Sequence, residues 1–352
     1  MRKSFDIKIA DHYWDICGQE QAVEFLDLTL KNNKVAQAYI FCGARGLGKL
    51  TLAKQFASAI ICQHNPKEAL IAGKKPCGVC HSCQALKKGI YPDMFLVERA
   101  TDEKTDKLKR DVSVEQIRDL RLQLQQSSFL GSYKIAIIPE AERVNVNAAN
   151  ALLKTVEEPT AKTVIIFITD DIKKIPTTIV SRCQVIKFLP VEKKKISAYL
   201  IYKGLGLDKA DYLAHLSHGR PGVAIDYWHE PHKLEKYLAH IDSFFEVLAL
   251  PVGERLSWSE KEVKNFDEEN VVGAMELMLE NWQVALRDLM LLLGDSEQLV
   301  VNSQYLGVLE KQVGNFSFIK IKGIMEYIEQ ARGWLRNSIN PRTILDNLII
   351  NL

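Results

Sequence analysis

The stretch that most constrains this chain is Gly43-Ala44-Arg45-Gly46-Leu47-Gly48-Lys49-Leu50-Thr51, directly after the apolar run Ala38-Tyr39-Ile40-Phe41-Cys42. Strand, glycine-rich loop and helix in that order form a phosphate-binding loop. The glycines let successive backbone N–H groups turn inward around an anion, and a lysine after the last glycine carries charge to the terminal phosphates. Gly43, Gly46, Gly48, Lys49 and Thr51 are therefore the candidate nucleotide-binding residues. The helix expected after the loop continues through Leu52, Ala53, Phe56, Ala57, Ala59 and Ile60. One position breaks the pattern. Where a Ser or Thr hydroxyl would ligate magnesium the chain has Leu50, and the next hydroxyl, on Thr51, comes one residue late. A helix turns by roughly 100° per residue, so this shift aims Thr51 away from the metal position.

A second departure lies on the strand Ile135-Ala136-Ile137-Ile138. Nucleotide hydrolases end the corresponding strand in an acidic pair, one carboxylate for magnesium and one for the attacking water. Here the pair reads Pro139-Glu140. Two independent losses of metal anchors point to a loop that holds phosphate without cleaving it. Glu140 or Glu142 acting as a substitute is the minority reading.

Cys77, Cys80 and Cys83, joined by Cys62 at the end of the P-loop helix, have the spacing of a four-thiolate tetrahedral site for Zn²⁺. Four thiolates leave no open coordination position, so the ion is expected to be structural and to organise a small module over about residues 62–90. His64 and His81 are read as surface side chains. The alternative, buried free cysteines, fits poorly with the polar, glycine-containing stretch around them.

At 352 residues the chain suits two or three domains, and its net charge of +2 gives no global attraction to nucleic acid or membrane. No apolar run is long enough to span a bilayer, and residues 1–6 lack a signal-peptide core, so a cytoplasmic protein is expected.

Apolar spacing predicts a helix over 19–31 and another beginning at a Ser113/Gln116 capping box, which carries Ile117, Leu120 and Leu124. Short apolar runs predict strands at 94–97, 163–169 and 185–189, and the charged run 99–111 reads as a solvated loop or hairpin. Asn147 is expected to cap a helix over 148–156. From Pro190 onward the pattern is helical only. Met275, Met278, Leu279, Trp282, Leu286, Leu289, Met290 and Leu293 recur at helical spacing, as do Ile321, Ile324, Met325 and Ile328, and Asn340-Pro341 opens a last helix.

In this order the chain resembles the bacterial DNA polymerase III clamp-loader subunits, the delta-prime and gamma/tau family of AAA+ proteins. The resemblance is carried by the 148–159 segment Ala-Ala-Asn-Ala-Leu-Leu-Lys-Thr-Val-Glu-Glu-Pro, by Ser181-Arg182-Cys183, by the four cysteines beside the loop, and by Asn337-Ser338-Ile339-Asn340-Pro341. It implies an α/β fold: an AAA+ P-loop domain with a parallel αβα sheet and zinc module over 1–190, a small helical lid over 191–240, and an all-α collar over 241–352. It further implies that Arg182 reaches in trans toward the γ-phosphate held by a neighbouring subunit, and Arg220 is a loose match to a nucleotide-sensing lid arginine. Expected partners are gamma/tau and delta subunits, with the sliding clamp and primed DNA met through the complex. The expected ligands are structural Zn²⁺ and ATP or ADP, with Mg²⁺ doubtful because its anchors are missing. Leu50 and Pro139 fit the non-hydrolysing, delta-prime side of this family. The competing readings are a gamma/tau-type ATPase using Lys49 with Thr51 or Glu140, and a zinc-containing protein that reads duplex DNA directly, against which the near-neutral charge argues.

Overall fold

Five parallel strands build the sheet: β1 (Ala38–Cys42), β2 (Met94–Leu96), β3 (Lys134–Ile138), β4 (Thr163–Thr169) and β5 (Gln184–Lys187), in the spatial order β2-β3-β4-β1-β5. This is a computed structural model that describes residues 14–63, 76–102, 109, 111–157, 162–266, 271–336 and 339–352. Residues 1–6, His64, most of the 99–111 run, and Glu158, Pro159, Asn337 and Ser338 lie outside the described residues.

Every residue of β3 and β4 is buried, and four of the five in β1. Parallel strands covered on both faces read as continuous apolar runs rather than as alternation, which is why Ile135–Ile138 and Val164–Ile168 carry no polar residue. One face packs under α1 (Glu20–Lys31) and α2 (Lys49–Ile61), around Leu26, Tyr39, Phe41, Leu52 and Phe56. After α3 (His81–Lys87), the helices α4 (Val114–Gln125), α5 (Val146–Glu157) and α6 (Thr177–Val180) supply the other face, with Ile40, Leu120, Leu152 and Phe167.

Local signals account for the helix ends. The Ser113 hydroxyl accepts the Gln116 N–H at 3.2 Å while the Gln116 side chain accepts the Ser113 N–H at 3.1 Å, the expected capping box. Asn340 accepts the Arg342 N–H at 2.9 Å, with Pro341 opening the last helix. At α5 the cap differs from expectation. Asn145, not Asn147, accepts the Ala148 N–H at 2.8 Å, because the helix starts two residues earlier, at Val146. The other end of α4 is held by Lys134, whose buried ammonium donates to the carbonyls of Gln123, Leu124 and Gln126 and so meets the unpaired oxygens of the last turn.

Beyond β5 the described residues are helical. The chain divides into two units, 1–224 and 225–352. In the first, α7 (Lys193–Tyr202) packs against α8 (Leu207–Leu216). The Gln19 side chain joins the strand exit to α1 by pairing with both backbone groups of Leu189, at 2.7 and 3.1 Å. The division falls within α9 (Pro221–His229).

The second unit contains α10 (Pro231–Ala249), α11 (Val252–Asn265), α12 (Val271–Leu293), α13 (Leu306–Val313), α14 (Phe318–Arg336) and α15 (Pro341–Ile350). The long α12 packs against α10, α13, α14 and α15. At its centre Trp282 is fully buried, its ring 5.5 Å from Phe244 and 6.0 Å from Trp258. A buried polar core accompanies the rings. The Trp282 indole N–H donates to the His240 carbonyl at 2.9 Å, and Asn281 Nδ2 lies 2.8 Å from His240 Nδ1. Asp288, also fully buried, accepts the N–H groups of Val301 and Asn302 at 3.1 and 2.9 Å. No helix among the described residues is long and apolar enough to cross a membrane.

Candidate phosphate loop and metal centre

The P-loop leaves the C-terminal end of β1 and turns into α2, whose first residue is Lys49. Gly46 and Gly48 have φ of +83° and +86°, backbone values that side chains disfavour. A Cβ on Gly46 would meet Val223 Cγ2 at 2.8 Å, and one on Gly48 would press on the Ile16 side chain at 3.0 Å, so a side chain at either position would add crowding to the disfavoured backbone angle. Gly43, the first loop glycine, donates its N–H to the Thr169 carbonyl at 3.2 Å.

Lys49 is buried, with 6% of its side chain exposed. Its ammonium donates to the carbonyl of Gly43, to that of Ala44 at 2.8 Å, and to Asp170 Oδ1 at 2.7 Å. Asp170 follows the last residue of β4, and the parallel register sets Cys42 beside Thr169, so the two strands release the loop and the carboxylate side by side. Sequence reasoning missed this pairing. Its signal was topological: in a parallel sheet the residues just past adjacent strand ends gather along one edge.

The other loop residues lie as follows. Leu50 is half-buried and Thr51 exposed, on the first turns of α2. Pro139 follows β3, and Glu140 stands in a left-handed conformation with φ of 51°. The Glu140 carboxylate accepts Arg99 Nε at 2.8 Å, so its charge is engaged by a neighbour from the edge of the sheet. Arg220 precedes α9, its Nε donating to the Ser217 carbonyl at 3.3 Å. Next to it, Gly222 donates its N–H to the Gly46 carbonyl at 2.8 Å, which brings the start of α9 onto the loop tip.

Arg182 sits just past α6. Its Nη1 donates to the Thr178 carbonyl at 2.9 Å and to the Ser181 hydroxyl at 3.2 Å, and its Nη2 lies 2.7 Å from Glu157 Oε1. The guanidinium is 39% exposed and Glu157 42%, which leaves the pair open to solvent.

At the far end of α2 the four cysteines come together. Cys62 is the C-cap residue of the helix, Cys80 is the N-cap residue of α3, and the sulfurs of Cys62, Cys77, Cys80 and Cys83 all lie within 4.8 Å of one another. Tetrahedral zinc with Zn–S near 2.3 Å calls for sulfurs about 3.8 Å apart; Cys77 and Cys83 are 4.0 Å apart. Backbone N–H groups point at the sulfurs, from Cys77 to Cys62 at 3.5 Å, from Cys80 to Cys77 at 3.3 Å and from Cys83 to Cys80 at 3.5 Å. Burial opposes ionisation of Cys80. The N–H groups of Cys83 and Gln63 outweigh it, together with the neighbouring thiols, and hold the Cys80 thiol down at about 7, while burial raises that of Cys83. Donor type, count and spacing all fit a metal ion. His81, the first residue of α3, is exposed and outside this set.

The family model described as "DNA polymerase III, delta subunit" matches residues 18–192. The chain is 26% identical to the DNA polymerase III subunit delta' of Bacillus subtilis over 335 residues, 95% of this chain and 96% of that protein. It is 39% identical to the delta' subunit of Pseudomonas aeruginosa over 148 residues, 42% of each. It is also 35% identical to the B. subtilis subunit tau over 182 residues, 52% of this chain, but spans only 30% of the length of that relative. The family match covers the P-loop, the cysteine cluster and Arg182, and the alignment to delta' runs on through the helical second unit. The chain is thus a homologue of the delta' and tau subunits of DNA polymerase III.

Proposed function

We propose that this chain is a non-hydrolysing, delta-prime-type subunit that helps a clamp loader place the sliding clamp on primed DNA, acting on a nucleotide held by a neighbouring subunit. The observation that carries this reading is the combination of Leu50 and Pro139 at both magnesium-anchoring positions with an arginine, Arg182, standing exposed beyond α6. A loop without either metal anchor is a poor site for phosphoryl transfer. An arginine delivered across a subunit boundary stabilises transition-state charge without any metal of its own.

In this reading the Thr178 carbonyl and Ser181 hydroxyl fix one face of the Arg182 guanidinium, while its Nη2, held at 2.7 Å by the solvent-open Glu157, exchanges that carboxylate for a neighbour's phosphate. Residues 191–240 act as a lid and 241–352 as the collar through which gamma/tau and delta subunits assemble. Cys62, Cys77, Cys80 and Cys83 hold a structural Zn²⁺ that braces the C-terminal end of α2 and so the helix that starts at Lys49. The protein works in the cytoplasm. The Arg99–Glu140 pair weighs against Glu140 serving a gamma/tau-type ATPase.

Reconstitution tests the reading. The chain mixed with gamma-type and delta-type subunits of the same source should form one complex that loads a labelled clamp onto primed DNA. Omission of the chain should abolish loading, and loading at full rate without it would refute the proposal.

A further inference from the structure

We infer that Asp170 is an internal occupant of the P-loop, a carboxylate standing where a nucleotide's phosphate would meet Lys49, so that this chain's own cradle excludes nucleoside di- and triphosphates. An ammonium has three N–H donors. The three oxygens on Lys49, from Gly43, Ala44 and Asp170, account for all of them. A phosphate reaching Lys49 has to displace at least one of these acceptors. Two are carbonyls of the loop itself, so the exchangeable one is Asp170, which is 52% exposed and therefore lies on the side from which a ligand would enter.

Charge makes the exchange unfavourable. A polyphosphate cradled by the loop amides would lie beside the Asp170 carboxylate, like charge against like charge. A magnesium ion would ordinarily offset such crowding, yet the positions that would hold it are Leu50 and Pro139. The sheet builds this arrangement in, because the Cys42–Thr169 register fixes Asp170 at the root of the loop. The loop tip is engaged as well: the Gly46 carbonyl accepts the Gly222 N–H at 2.8 Å, and Val223 packs against the Gly46 Cα. The P-loop thus serves as a strut between β1, β4 and α9. Asp170 is the residue that decides whether nucleotide enters.

The inference rests on the P-loop reading but not on Arg182, and the isolated full-length chain tests it. Titrations with ATP and with ADP, in magnesium and followed by calorimetry, should detect no saturable binding to the wild-type chain below millimolar ligand. Asp170→Asn keeps the shape and an acceptor for Lys49 while removing the charge, and should bind at least roughly tenfold tighter. Asp170→Thr should do the same, and Lys49→Ala added to either variant should abolish the gain. Micromolar, Lys49-dependent binding by the wild type would overturn the inference, as would Asp170→Asn and Asp170→Thr chains that melt like the wild type and bind no better. Either outcome would leave assembly of the complex, and the role of Arg182 in it, untouched.

Discussion

Glu157, the last residue of α5, holds the Arg182 guanidinium at 2.7 Å across the gap between α5 and α6. A carboxylate at a helix C-terminus faces the negative end of the helix dipole, and the arginine offsets that clash. Both partners are about 40% exposed, at 39% and 42%, where such a pair contributes little to folding. Glu157→Gln should therefore change unfolding stability by less than about 1 kcal/mol in a urea titration. A loss above about 2 kcal/mol would mean that the pair is structural and that Arg182 is not readily given up to a partner.

Metal content gives a second test. The purified chain should carry one zinc ion. Cys80→Ser should lower zinc occupancy and open the 62–90 segment to limited proteolysis, because metal binding supplies on the order of 10 kcal/mol to a small four-thiolate module. Chelation of the wild type should reproduce the proteolysis. Full resistance after complete zinc removal would show that the four cysteines pack without needing an ion.

A third concerns Asp93, which is buried and accepts the Ser128 hydroxyl at 2.8 Å and the N–H groups of Phe129 and Leu130 at 3.0 and 3.2 Å. It anchors the turn between α4 and β3. Asp93→Ala leaves those donors without their acceptor and should cost about 2–3 kcal/mol. Hydrogen exchange at Phe129 and Leu130 should rise sharply while the amides of β4 keep their protection.

Much of this arrangement is legible in the sequence. The strand-loop-helix order of the P-loop, the capping box at Ser113 and Gln116, and the cysteine spacing are local signals, each complete within about 25 residues. The partners of the charged groups are not local. Asp170 lies 121 residues from Lys49, and Glu140 lies 41 residues from Arg99. These pairs form only once β4 lies beside β1 and β3 beside β2, and strand order is not written in any one strand. The cap of α5 was misplaced for a different reason. Asn145 and Asn147 are equally good N-caps, and only the buried face of the helix, set by Ala148, Ala149 and Leu152 against the sheet, selects between them.

The second unit should be sensitive to acid. Burial, with the Lys236 charge as a smaller cause, lowers His240 from 6.5 to about 4. The fold therefore favours the neutral ring, whose Nδ1 faces the Asn281 amide. That stabilisation is intact above about pH 6.5 and is lost as pH falls toward 4. Between pH 7 and 5 the wild type should lose about 2 kcal/mol that a His240→Gln variant does not lose. Asp288, which burial shifts upward, works in the opposite sense in both proteins and cancels in the comparison. Parallel pH profiles for the two would contradict a buried neutral histidine.

The most direct measurement is the DNA-stimulated ATPase of a loader reconstituted from this chain with gamma-type and delta-type subunits, carrying Arg182→Ala or Arg182→Lys. Both variants should assemble normally, yet turnover at the neighbouring site should fall on the order of 10³-fold, since lysine cannot reproduce the planar guanidinium contact. ATPase unchanged in a fully assembled Arg182→Ala complex would contradict the claim that this chain acts on a nucleotide bound by its neighbour.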